Sequence, residues 1–147
     1  MGMKRAAVWI LLVCVLVICT GCGDIWMERR ERVFEIVREN GDVLLADIAK
    51  ADFTTSAAID GIEDVYPEWT FGELDFVEYY CGGVGFGAST AYYGFYYSKE
   101  DDLDRIWCAG APLVPSGDAF LYEQSDGDNR YYTERIVDHF YYYEASY

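Results

Sequence analysis

Leu74–Cys81, LDFVEYYC, is the stretch that decides the fold. Its residues alternate, with Leu74, Phe76, Glu78 and Tyr80 on one face and Asp75, Val77, Tyr79 and Cys81 on the other. A period of two is the signature of a β-strand. Ser89–Ser98, STAYYGFYYS, follows with Tyr93, Phe95 and Tyr97 set against Tyr92, Gly94 and Tyr96. Thr, Tyr and Phe are residues that fit a pleated surface. The chain has 14 tyrosines, which suit a sheet because each can bury its ring and still offer its hydroxyl to water.

Downstream, Ala119–Gln124, Tyr131–Ile136 and Phe140–Ser146 read as further strands. Ser125–Asn129, with Asp126-Gly127 inside it, is a hairpin turn between the first two. Lys99–Asp104 reads as an acidic turn, Asp104–Cys108 as a short strand, and Pro112 and Pro115 as marks of an irregular loop. Upstream, Asp52–Asp64 holds a turn and a short strand around Ile59–Val65, with Tyr66-Pro67 and Gly72 in loops.

The period changes before that. Over Ile25–Ala51 there is no proline, and Phe34, Val37, Gly41, Leu44 and Ile48 recur at three- and four-residue spacing. This is one helical stripe facing a core. It stays in register across Gly41, which favours a single helix, kinked or closely packed there, over two helices broken at Asn40-Gly41. One early helix followed by a run of strands predicts an α+β domain. The expectation is a long N-terminal helix on an antiparallel, meander-like sheet of about five to six strands. An all-β sandwich with an N-terminal helical stalk is the alternative.

The N-terminus has a different character. Lys4 and Arg5 precede an apolar run from Ala6 to about Ile18, then Cys19-Thr20-Gly21-Cys22. The run falls within the roughly 7–15 residues of a signal-peptide core and short of the ~20 needed to span a bilayer. Its end resembles the bacterial lipobox. Thr20 and Gly21 match that pattern, and Cys19 stands where Leu, Val or Ile is usual. The resemblance implies cleavage between Gly21 and Cys22 and a diacylglyceryl (palmitate-type) thioether on Cys22. Two acyl chains, at about 0.8 kcal/mol per buried CH₂, anchor stably where one is marginal. Residues 1–21 would then be a removed signal peptide and 22–147 a single acidic globular domain, lipid-anchored to the cell membrane and facing outside the cytoplasm. An ordinary secretory signal and an uncleaved anchor are the competing readings.

The formal net charge is −15, and loss of Lys4 and Arg5 makes the remainder more negative still. Such a surface repels nucleic acid and anionic headgroups. Acidic residues are spread from Asp24 to Glu144, which reads first as solubility at a crowded envelope and second as a face for a basic protein partner. Of five cysteines, Cys14 and Cys19 lie in the signal and Cys22 at the acylation site. Cys81 and Cys108 remain in a domain sent to an oxidising compartment, where a disulfide between them is expected. The competing reading makes both small buried hydrophobes.

Candidates for chemistry are weak. Gly82–Gly87 has neither phosphate-loop spacing and precedes a strand, so it reads as a turn or bulge with positive φ. Gly87-Ala88-Ser89-Thr90-Ala91 approaches a nucleophile elbow, with Asp118 and His139 following in hydrolase order, but Ala91 replaces the last glycine. Cys81 with His139, the sole histidine, makes a possible thiolate–imidazolium pair. Asp101, Asp102 and Asp104, or Asp126, Asp128 and Asn129, offer oxygen ligands, though the second set lacks a distal Glu at Val137. Tyr92, Tyr96, Tyr131, Tyr141 and Tyr143 are numerous enough to form an aromatic binding platform, or else are core and cross-strand pairs.

Cys81–Ser98 and Tyr141–Ser146 resemble runs in uncharacterised exported proteins of monoderm bacteria. That resemblance implies an independent domain and brings no activity. The expectation is a non-enzymatic binding or interaction lipoprotein without metal or cofactor. A small hydrolase or thiol enzyme using Cys81 or Ser89 with His139 is the alternative.

Overall fold

A computed structural model describes the backbone of residues 3–86, 89–103 and 112–146, and the side chains of residues 27–85, 90–103 and 112–146. Residues 1–32 and 33–147 are two compact units. A helix, α1 (Met3–Lys50), supplies the described backbone of the first and the opening element of the second. In the first unit Arg30 and Glu31 form an exposed ion pair at 2.7 Å. Among the described residues no helix is long and apolar enough to cross a membrane.

In the second unit the predicted stripe is the buried face. Phe34, Val37 and Leu44 are buried together with Val33 and Ile36, and Ile48 packs against the same core. The helix continues through Gly41, where an added Cβ would meet no atom within 4 Å, so the expected close packing is absent. It ends by a left-handed turn at Ala51, φ 54°. There Ala51 N–H donates to Ile48 O and Asp52 N–H to Asp47 O, closing the last carbonyls. The Asp47 carboxylate, itself buried, accepts from Ser56 N–H at 2.7 Å and ties the following loop down.

The sheet is open and antiparallel. Its strands are β1 (Asp64–Thr70), β2 (Glu73–Phe86), β3 (Ser89–Ser98), β4 (Val114–Ser116), β5 (Ala119–Glu123), β6 (Arg130–Val137) and β7 (Phe140–Ser146). They lie in the order β1-β2-β3-β7-β6-β5-β4. The α+β expectation holds, but the strand count is seven, not five to six. Two meanders, β1–β3 and β4–β7, meet along the β3–β7 pair.

The undercount has a physical cause. β4 lies where Pro112 and Pro115 suggested an irregular loop, and it is a three-residue edge strand. β1 runs straight through Tyr66-Pro67, which had read as a loop. At the edge of a sheet a missing proline N–H need not interrupt the ladder. Gly82–Phe86 of the glycine run belong to β2, with a bulge between Tyr80 and Gly82 and positive φ at Gly82 and Gly85. The expected strand at Asp104–Cys108 lies outside the described residues.

Both faces of the sheet centre are buried. Val77, Tyr79, Cys81, Phe95, Phe140 and Tyr142 pack with α1, Phe34 meeting the Tyr142 ring at 6.1 Å. Phe76, Tyr96, Tyr131, Tyr141, Tyr143 and Ala145 form a second cluster on the other face. Leu103 and Leu113, from the connection between β3 and β4, pack against it.

Candidate functional site

His139 sits in the two-residue turn between β6 and β7, with φ 66°. Its ring Nδ1–H donates to Ser98 O at 3.0 Å, and its carbonyl accepts from Ser98 N–H at 2.9 Å. That places it at the end of β3. Ser89 begins the same strand nine residues away, or about 30 Å at ~3.3 Å per residue. Cys81 lies at the β2 bulge, beside Tyr93 and Gly94 of β3, four to five residues (about 15 Å) along the strand from Ser98. Neither nucleophile is within hydrogen-bond reach of His139.

Asp118 falls in the turn between β4 and β5. Asp126, Asp128 and Asn129 lie in the exposed turn between β5 and β6. Among the described residues no group of three or more His, Cys, Asp or Glu side chains converges as a metal site would require. Asp104 and Cys108 lie outside the described residues, as do the side chains of Cys22 and Ser89.

What His139 joins is a structural clasp. Asp101, at φ 57°, accepts from Arg135 Nη1 at 2.9 Å, from His139 N–H at 2.7 Å and from the Tyr141 hydroxyl at 2.7 Å. The Tyr141 hydroxyl above all, with help from the His139 N–H and Arg135, holds the Asp101 carboxyl down at about 2 against the opposing desolvation. Arg135 also stacks over the Tyr141 ring at 4.9 Å. The clasp pins the segment after β3 to the β6–β7 turn.

Burial decides between the platform and core readings of the tyrosines. Tyr96, Tyr131, Tyr141 and Tyr143 are buried in the second core cluster, and of the five only Tyr92 is exposed. The sheet is covered on that face, so these rings are packing, not platform. Tyr143 lies across Gly94, where a Cβ would fall 2.2 Å from Tyr79 O and 3.0 Å from the Tyr143 ring. From there its hydroxyl donates to Glu78 at 2.5 Å.

The exposed aromatics are on the β1–β2 hairpin instead. Tyr66 is 49% exposed, Trp69 52% and Phe71 105%. Thr70 pairs with Glu73, leaving Phe71 and Gly72 as a two-residue turn with φ 52° and 86°. Positive φ at both positions is the type I′ hairpin, which favours Asn-Gly. A phenylalanine in the left-handed region is strained by ~1–2 kcal/mol, and here its side chain packs on nothing that would offset the cost. A single exposed aromatic needs no explanation, but three on one hairpin, one of them held in strain, do.

The electrostatics of this hairpin are one-sided. No Lys, Arg or His occurs between Lys50 and Lys99. Glu63, Asp64, Glu68 and Glu73 are all exposed along β1 and its turn. Glu73 meets Lys99 at 2.5 Å, from across the sheet end. Tyr66 donates to Asp64 at 3.1 Å, which raises the Tyr66 hydroxyl above its ordinary value. On the same face Glu68 lies near half-buried Glu78. Burial and the Glu68 charge push the Glu78 carboxyl up, and the Tyr143 hydroxyl pulls it back.

This hairpin was missed in the sequence because Tyr66-Pro67 reads as a breaker. The signal was present in Val65, Tyr66 and Trp69 ahead of a Phe-Gly pair, a strand composition followed by a tight turn. Comparison with family models, with curated proteins and with solved structures finds no match.

Proposed function

We propose that the chain is a lipoprotein tethered through Cys22 on the outer side of the cell membrane, and that its folded unit is a non-enzymatic binding or interaction domain. The observation that carries the tether is the run from Lys4-Arg5 through apolar Ala6–Ile18 to Cys19-Thr20-Gly21-Cys22. Support for a non-enzymatic domain comes from the sheet register, which keeps His139 far from both Cys81 and Ser89. The partner class favoured by a net charge of −15 is a basic protein. Export to an oxidising compartment favours a Cys81–Cys108 disulfide.

Intact-mass measurement of the membrane-extracted chain tests the tether. The expected mass begins at Cys22 and carries a diacylglyceryl group, and Cys22→Ser abolishes both the lipid and the cleavage. An unmodified start upstream of Cys22 overturns the reading. Alkylation before and after reduction tests the disulfide. Two thiols should appear only on reduction, and their labelling without reductant removes the bridge.

A further inference from the structure

We propose that the β1–β2 hairpin is a docking surface for a basic polypeptide segment, with Trp69 and Phe71 as its anchors. The inference rests on the reading of the folded unit as a binding domain and assigns its contact surface. Three observations converge on it. Tyr66, Trp69 and Phe71 are the exposed aromatics of one edge hairpin, and Trp and Tyr are the residues that most often dominate interface energetics. Phe71 occupies a left-handed position that Asn or Gly would fill at lower cost, and its ring is fully exposed, so neither the turn nor the core accounts for it. Asp64 and Glu68 share the face of Tyr66 in a stretch with no Lys, Arg or His between Lys50 and Lys99, whereas Glu73 is already paired with Lys99.

The charge decides between occupants. A neutral apolar partner would strip water from Glu68 and Asp64 without replacing it, which is costly. A second copy of this chain would bring its own Asp64 and Glu68 against this edge and carries the same net charge of −15. Anionic lipid is repelled for the same reason. A segment carrying Arg or Lys satisfies both halves of the surface. Laid along the open β1 edge, its residues reach both faces of the strand: cations pair with Asp64 and Glu68 and stack on Tyr66 on one face, while apolar stems cover Trp69 on the other and Phe71 at the turn. Arginine should be preferred to lysine, because its planar guanidinium both stacks and pairs with a carboxylate in two-pronged fashion.

The test uses the full chain in non-ionic detergent, titrated with an oligoarginine peptide and with a neutral Gly-Ser peptide, and read by backbone hydrogen exchange. Binding of oligoarginine should protect residues 63–75 and weaken with added salt, and the neutral peptide should leave exchange unchanged. The double variant Trp69→Ala/Phe71→Ala keeps the net charge and lies on the exposed hairpin. It should weaken oligoarginine binding about tenfold or more if these rings are anchors. Protection elsewhere, or unchanged affinity in the double variant, overturns this surface and leaves a diffusely acidic binding domain standing. Absence of oligoarginine binding at low salt overturns this surface and the basic-partner reading together. Protection of the hairpin by zwitterionic lipid vesicles but not by the peptide also overturns it, in favour of a lipid surface.

Discussion

The β3–β7 seam and the β1–β2 hairpin use the same kind of residue in opposite ways. At the seam Tyr96, Tyr141, Tyr142 and Tyr143 are buried, stacked or capped, and their hydroxyls end on Leu103 O, Asp101, Glu144 and Glu78. On the hairpin Tyr66, Trp69 and Phe71 stand in water beside carboxylates. Burying a large side chain contributes about 1.5–3 kcal/mol, so the seam carries much of the stability of the folded unit. The hairpin aromatics contribute little to it, and Phe71 subtracts. The contrast separates residues kept for folding from residues whose presence folding does not explain.

The largest effect expected from that contrast is at Gly94. Gly94→Ala puts a methyl group 2.2 Å from the Tyr79 carbonyl oxygen and against the Tyr143 ring. Backbone has to move, and the variant should lose about 3 kcal/mol or more in urea unfolding, or fail to fold. A loss under about 1 kcal/mol would mean that the seam is looser than described.

Next comes the clasp. Tyr141→Phe removes the hydroxyl that donates to Asp101 and should cost about 1–2 kcal/mol, discounted because Asp101 is partly exposed. The pH dependence follows from Asp101, whose carboxyl is held near 2 in the fold against an ordinary value of 3.8. Its contribution is therefore complete above the ordinary value and disappears as the pH falls from there towards 2. In Tyr141→Phe that contribution should be smaller, and its acid loss should be complete closer to the ordinary value. Identical acid-denaturation curves for the two proteins would remove Tyr141 from the clasp.

The smallest effects belong to the hairpin. Phe71→Asn relieves a left-handed phenylalanine and should stabilise by about 1 kcal/mol in thermal melts. Trp69→Ala should change stability by less than about 0.5 kcal/mol, as exposed substitutions do. A Trp69→Ala cost comparable to a core truncation would show that its ring is packed after all, and the distinction between the two regions would fail.

Much of the architecture could be read along the chain. The stripe Phe34, Val37, Leu44 and Ile48 is the helix face that packs on the sheet, and Ser89–Ser98 is a strand over its full predicted length. Both follow from periodicity, which is local. The Gly82–Gly87 run reads as a turn or bulge with positive φ; the strand runs on to Phe86, with a bulge between Tyr80 and Gly82 and positive φ at Gly82 and Gly85. The misses share a cause as well. Pro67 and Pro115 were treated as strand breakers, yet each lies in an edge strand, and edge position is not a local property. Of the two readings of the five tyrosines, platform or core and cross-strand pairs, the core reading holds for all but Tyr92; rings alternate on both faces of β3 and β7, so period two shows which residues share a face but not which face is covered.

Residue types and spacing were enough to establish a helix followed by antiparallel strands, a strongly acidic character and the expectation of a lipid tether at Cys22. These are readings of neighbours in the chain, where sterics, periodicity and charge act over a few residues. The tertiary structure decided the rest. The order β1-β2-β3-β7-β6-β5-β4 put β7, the last strand, at the centre and β1 at an edge. That order sealed the YYY run of Tyr141–Tyr143 between two cores and left Trp69 and Phe71 in water. Whether an aromatic ring is buried depends on what packs over it from far along the chain, and no short-range pattern encodes that.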